Sequence, residues 1–293
     1  EMGMAESDKA KRSVVQDAPF LAALTPFAAW AFGLHLLGGA SSVGRVVAAT
    51  VFAVGVALWL KPWRDMPVWS HVAPLAAWFA LMAGLGEPPA AWKYAVRVAL
   101  GLLLLVAARP WRGYPAARIR NLPLAFGIGM LVFVIWVFPE SPWLAERAPG
   151  LYRFYVRYLV GLIPFGQMPE PLTAFPYAPE ICGWPMALVR LAGSAVVISI
   201  IEEFFYRGFL YRWMLGNKFL EVDPGRRDWT TLLIISLVFA SSHNQWFAAL
   251  LCGWLYGWLY IKTRDIWAPC FAHIVTNFVL GLYVLTTGAY HFW

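Results

Sequence analysis

Three short clusters of polar residues lie in the last third of this chain, each in an apolar stretch. Residues 201–212 read IEEFFYRGFLYR and carry Glu202, Glu203 and Arg207. Residues 239–243 read FASSH, with Phe239 one helical turn before His243. Residues 273–277 read HIVTN, which puts His273 and Asn277 on one helix face. A helix turns about 100° per residue, so Glu203 and Arg207 share a face and can pair, while Glu202 points to one side. One carboxylate is then held by arginine and the other is left for chemistry. A carboxylate in an apolar site can act as general base and then as acid, which suits Glu202. His243 could hold the same water and share the proton transfer. His273 and Asn277 could donate to a developing oxyanion, where the loss of one donor typically costs about 2.7–4 kcal/mol. Together these groups could hydrolyse a peptide bond with an activated water.

Each cluster also has a plainer reading. Glu203 and Arg207 could be a buried ion pair that orients two helices. His243 could be a packing residue at a membrane interface. His273 and Asn277 could make a bond between helices. Nucleophilic catalysis fits less well: Ser241 and Ser242 adjoin His243, but neighbours on a helix point apart, and no GxSxG elbow is present. Ser194 and Ser199 read as small helix-packing residues. Glu202, His243 and His273 could form a His₂Glu zinc site. No HExxH motif exists, however, so metal-free chemistry without a cofactor is the expectation.

The order EExxxR, FxxxH, HxxxN on successive apolar regions resembles the CPBP family, the CAAX prenyl protease and bacteriocin-processing (Abi) enzymes. The resemblance covers about residues 183–286 and rests on "EEFFYRGFLYRWM", "FASSH" and "APCFAHIVTNFV". It implies a glutamate-dependent intramembrane endopeptidase without a covalent intermediate. Glu203 and Arg207 would then have supporting, site-organising roles, with Phe239 beside His243. A long N-terminal helical region before the motifs also resembles the prenyl-protease-related members associated with bacterial exosortase sorting systems. The implied substrate is a membrane-associated peptide or protein, such as a prenylated CAAX-type tail or a C-terminal sorting signal.

The elements that must position these residues are read from composition. The chain of 293 residues is 60% hydrophobic and only 13% charged, about half the charge of a soluble domain. That composition predicts an all-α, polytopic transmembrane bundle of about eight or nine spans. Nine candidates lie at 18–39, 44–60, 68–86, 91–108, 121–138, 183–201, 229–243, 246–261 and 266–286. Every second loop is basic, which predicts a cytoplasmic N-terminus. The net charge of +7 has the same origin, so no nucleic-acid partner is expected. The expected setting is a bacterial inner membrane. The expected organisation is a cytoplasmic tail at 1–17, N-terminal helices at 18–182 and a catalytic core at 183–293. Residues 151–166 read as an amphipathic helix on the outer surface, with a re-entrant or spanning helix as the alternative. Cys182, Cys252 and Cys270 form no CxxC pair and predict no disulfide framework.

These boundaries set Glu202 near the cytoplasmic end of its span and His243 near the outer end of its own. The motifs require a common depth, so the expectation is that the boundaries must move. Two other classes also fit buried Glu, His and Arg: a transporter with a proton relay, and a non-catalytic bacteriocin-immunity or scaffold protein. Transporters usually show repeats and broken helices in both halves, whereas here the ionisable cluster sits only in the last third.

Overall fold

The computed structural model describes residues 25, 28–29, 67–85, 90–161, 166, 168 and 175–293. The tail at 1–17 and the span at 44–60 lie outside the described residues, as does nearly all of the span at 18–39. Among the described residues there are helices and no strand. The chain divides into two compact units, Glu1–Gly113 and Tyr114–Trp293.

In the first unit, α1 (Pro67–Leu85) and α2 (Ala91–Ala108) match the expected spans at 68–86 and 91–108. They pack through Trp78 and Tyr94, whose rings meet edge to face at 5.7 Å. The Arg97 guanidinium lies 5.0 Å from the Tyr94 ring, so a polar head is covered by an aromatic face.

The second unit holds α3 (Leu122–Val137), α4 (Trp184–Leu215), α5 (Trp229–Ala240), α6 (Trp246–Thr263) and α7 (Trp267–Thr287). Among the described residues, four helical segments are long and apolar enough to cross a membrane: Ala91–Gly113, Ile119–Glu140, Trp184–Leu215 and Trp267–Thr287. Such helices fit an integral membrane protein.

Two expected boundaries are corrected. The span drawn at 183–201 continues to Leu215 as one helical segment of 32 residues. Its charged residues do not end it, because they find partners inside the unit. The span drawn at 229–243 stops at Ala240, and its 12 residues give only about 18 Å of helix. Irregular backbone follows at 241–245, and α6 then runs back along α5. These two changes resolve the conflict of depth. Glu202 lies about 20 Å back from the end of α4, and His243 lies about 20 Å on from the start of α5. Both helices flank the loop 216–228, so the two side chains reach the same level.

That loop is pinned to α4. Buried Arg212 donates from Nη2 to the carbonyls of Leu220 and Val222, each at 2.8 Å, and the Tyr211 hydroxyl donates to the Arg226 carbonyl at 2.7 Å. The turn between α6 and α7 is held likewise: the Asp265 carboxylate accepts from the Arg118 amide at 3.0 Å and from Asn121 Nδ2 at 2.9 Å.

Close helix approach depends on two glycines. A Cβ on Gly129 of α3 would stand 2.6 Å from the Ala272 carbonyl oxygen of α7. A Cβ on Gly253 of α6 would stand 3.0 Å from the Ser236 Cα of α5. Thr276 ties three helices together: its hydroxyl donates to the Gly129 carbonyl at 2.7 Å and accepts from the Tyr256 hydroxyl at 2.6 Å. Such bonds matter where lipid offers no alternative partner.

The segment expected to be one amphipathic helix at 151–166 is built from shorter pieces. Helices span Pro142–Arg147 and Pro149–Tyr155, and a wider π-type turn runs over Val156–Val160. Tyr155, Val156 and Val160 are buried with Phe247 of α6 packed against them, while Arg153 and Arg157 face outward. The described part is too short to span a bilayer. Cys182, Cys252 and Cys270 are free, and the last two are buried.

Candidate active site

The α4 helix changes its winding around the glutamates. Wide π-type turns cover Gly193–Ile198 and Phe204–Leu210, and the ordinary α-helical stretch Ser199–Glu203 lies between them. Such turns leave carbonyls open to other partners and recur at functional sites. The stretch between them carries both acidic residues. Glu202, Glu203 and Arg207 are 6%, 0% and 1% exposed, so any charge they carry needs a partner.

Glu203 has two partners on a single oxygen. Arg207 Nη1 donates to Oε1 at 2.9 Å, and His273 Nδ1 of α7 meets the same oxygen at 2.9 Å. The second arm of Arg207, Nη2, donates to the Gly253 carbonyl of α6 at 2.9 Å. One carboxylate and one guanidinium thereby join α4, α6 and α7. Glu202 faces elsewhere, as the 100° step requires. Its Oε2 lies 3.8 Å from His273 Nε2, too far for a direct hydrogen bond.

Phe239 lies fully buried beneath the whole group. The Arg207 guanidinium carbon is 5.0 Å from its ring centre, and the ring centres of Tyr206, His243 and His273 are 5.2, 4.5 and 6.1 Å away. Tyr256 packs its ring 5.0 Å from His273 on another side.

Each histidine is fixed in one tautomer. His243 Nδ1 lies 2.8 Å from the Phe239 carbonyl, an acceptor only, so Nδ1 carries hydrogen. His273 Nδ1 faces a carboxylate oxygen, so it also donates. In both rings Nε2 is the nitrogen left for a reactant. The third edge of His243 is covered by Trp136 of α3, with ring centres 5.8 Å apart.

Asn277 lies one turn beyond His273, as the motif predicts. Its Nδ2 donates to the Ser194 carbonyl at 2.9 Å and to Ser199 Oγ at 3.1 Å, both on α4. The structure therefore brings Glu202, Glu203, Arg207, Phe239, His243 and His273 into one connected group and ties Asn277 to the same helix. Sequence reasoning missed the Gly253 carbonyl, because a backbone acceptor leaves no mark in residue type. It also gave Ser199 only a packing role. The one available signal was its position, a single turn before Glu202 and Glu203. Among the described residues, no group of three or more His, Cys, Asp and Glu side chains is arranged to hold a metal ion.

Residues 184–279 match a family model described as Rce1-like, type II CAAX prenyl endopeptidase Rce1-like. All three motifs fall inside the match, and residues 1–183 fall outside it. The match agrees with the resemblance that the motifs carry and supports an intramembrane endopeptidase in general terms. No curated protein and no solved structure matches the chain.

Proposed function

We propose that this chain is a glutamate-dependent intramembrane endopeptidase, with residues 183–293 as its catalytic core. The observation that carries this reading is the contrast between two adjacent glutamates. Glu203 is locked by Arg207 and His273, whereas among the described residues Glu202 has only the 3.8 Å approach to His273 Nε2. A structural ion pair would need only the first glutamate. The second is buried with His273 Nε2 facing it, and the Phe239 ring links His273 to His243.

In this reading Glu202 reacts as a carboxylate and His273 donates from Nε2. Glu202 and His243 Nε2 then hold a water between them. Glu202 takes a proton from this water as its oxygen bonds to the scissile carbonyl carbon. The carbonyl oxygen, now negative, accepts from His273 Nε2–H and Asn277 Nδ2–H. Glu202 returns its proton to the departing amine nitrogen as the C–N bond breaks and the carbonyl re-forms. The products are a carboxylic acid and an amine, which then exchange the acid proton to leave carboxylate and ammonium, without a covalent intermediate.

The substrate in this reading is a membrane-associated peptide, either a prenylated CAAX-type tail or a C-terminal sorting signal beside a transmembrane segment. It would reach the site laterally between helices. The proposal includes a cytoplasmic N-terminus, about eight or nine spans, and a bacterial inner membrane.

The test compares protein termini in membranes from cells expressing wild type or Glu202→Ala at equal level. Mass spectrometry should find new termini with wild type alone. Identical terminus sets, with the variant folded and present, would overturn the proposal and favour transport or scaffolding.

A further inference from the structure

The contacts of Asn277 define a role for a residue outside the three motifs. The Ser194 carbonyl can only accept, so the amide of Asn277 must turn Nδ2 toward it. The 2.9 Å bond therefore fixes which end of the amide faces α4. Nδ2 has two hydrogens, and its second partner is Ser199 Oγ at 3.1 Å. Ser199 in turn donates its own hydroxyl to the Ser194 carbonyl at 3.2 Å. Asn277, Ser199 and Ser194 thus form a closed triangle of hydrogen bonds between α7 and α4. The triangle spans the wide turn at Gly193–Ile198, where a carbonyl is open to side chains.

Ser199 is fully buried and sits three residues before Glu202 and four before Glu203. On a helix those positions are neighbours on one face. Of the two N–H groups of Asn277, the one aimed at Ser199 is therefore on the side of the glutamates. It is also held by the longer bond, to a hydroxyl whose hydrogen is already committed.

We propose that Ser199 is a positioning residue that holds one N–H of Asn277 ready beside Glu202 and yields it to the oxyanion. This rests on the endopeptidase reading above and deepens it, because it explains how a fully engaged amide can still serve a reacting carbonyl. The Ser194 bond keeps the amide oriented while the Ser199 bond is exchanged for the substrate oxygen. No new covalent step is involved.

The test is a double-mutant cycle on the full chain in nanodiscs, using a peptide substrate from the terminus comparison and thermal unfolding in parallel. Ser199→Ala should lower kcat about 10-fold to 100-fold with KM little changed, and Ser199→Thr, which keeps a hydroxyl, should restore most of it. In an Asn277→Ala background, Ser199→Ala should have no further effect on kcat. An equal loss of kcat in both backgrounds, or an unchanged kcat in Ser199→Ala, would overturn the assignment. A structural role alone would lower the unfolding temperature of Ser199→Ala and leave its kcat near wild type, which overturns it as well. A wild-type chain that cleaves nothing overturns the endopeptidase reading itself, a result distinct from failure of the cycle.

Discussion

Glu203 Oε1 and His273 Nδ1 lie 2.9 Å apart across 70 positions of sequence. This contact turns two separate motifs into one unit. It fixes His273 in the tautomer that aims Nε2 at Glu202, and it does so with an oxygen that Arg207 already holds. The supporting glutamate thus orients the histidine, and the histidine addresses the other glutamate. Such outer partners set the angle and the basicity of the groups they hold.

The two glutamates should respond differently to the same substitution. Glu203→Gln removes the charge that offsets buried Arg207, and breaking a buried pair costs about 3–5 kcal/mol. Glu202→Gln removes a carboxylate with no direct hydrogen bond among the described residues, so its stability should stay near or above that of wild type. The same Glu202→Gln variant should lose cleavage. Thermal unfolding in detergent together with peptide cleavage checks both halves. Equal loss of stability in the two variants would contradict the division of labour.

Much of this site was legible because its chemistry is carried by residue types that are costly in an apolar chain. Glu202, His243, His273 and Asn277 stood out for that reason, and their spacing gave the shared faces. The helix limits of α2, α3 and α7 were legible because their apolar runs are bounded by charge, proline or glycine, as at Arg109, Pro139 and Gly288. The same rule misled at α4. Glu202, Glu203 and Arg207 looked like the end of a span, yet their partners are the Gly253 carbonyl and His273, which local sequence does not show. The early stop of α5 was hidden too, since Ser241, Ser242 and His243 fit a helix by composition. At its end the backbone bonds tighten to three-residue steps, and His243 Nδ1 takes the Phe239 carbonyl that the next helical turn would use.

The contact of α3 with α7 predicts a steric effect far from any charge. Gly129 leaves no room for a Cβ, which would meet the Ala272 carbonyl at 2.6 Å and Val275 at 2.9 Å. Both opposing groups belong to a rigid, β-branched or backbone surface, so the helices must move apart. Gly129→Ala should destabilise by about 1–3 kcal/mol despite the better helix propensity of alanine. It should also weaken the bond from Thr276 to the Gly129 carbonyl. Gly127 on the same helix has open space at its Cβ, so Gly127→Ala is the control and should not destabilise. Unfolding midpoints of the pair decide the point.

The start of α5 predicts a response to acid. Asp228 caps this helix, with its carboxylate accepting from the Thr231 amide at 2.8 Å. That bond holds its pKa below the ordinary value of 3.8. A carboxyl whose folded pKa is depressed stabilises the fold above its unfolded pKa. The contribution is lost as pH falls through the folded value. Wild type should therefore lose part of its stability as pH drops from about 5 to below the usual carboxylate range. Asp228→Asn keeps a capping oxygen without the titration, so its stability should change less over that window. Matching acid profiles for the two proteins would show that the cap is not linked to pH.

Phe239 should matter to catalysis as well as to packing. Its ring lies under Arg207 at 5.0 Å and beside His243 at 4.5 Å, while its backbone carbonyl accepts from His243 Nδ1. Phe239→Ala should cost about 3–5 kcal/mol, the usual range for removing a buried ring. Phe239→Leu refills most of the volume and should cost less. Leucine has no ring face, however, so it forfeits the cation–π contact, worth about 2 kcal/mol when desolvated. It also frees His243 to tilt away from the water it would hold with Glu202. Phe239→Leu is therefore expected to remain folded with kcat reduced at least about tenfold and KM little changed, because misplacement by about 1 Å can cost 100-fold. A raised KM with full kcat would instead make Phe239 part of a substrate-binding surface. Wild-type kinetics with a lowered unfolding midpoint would reduce its role to packing.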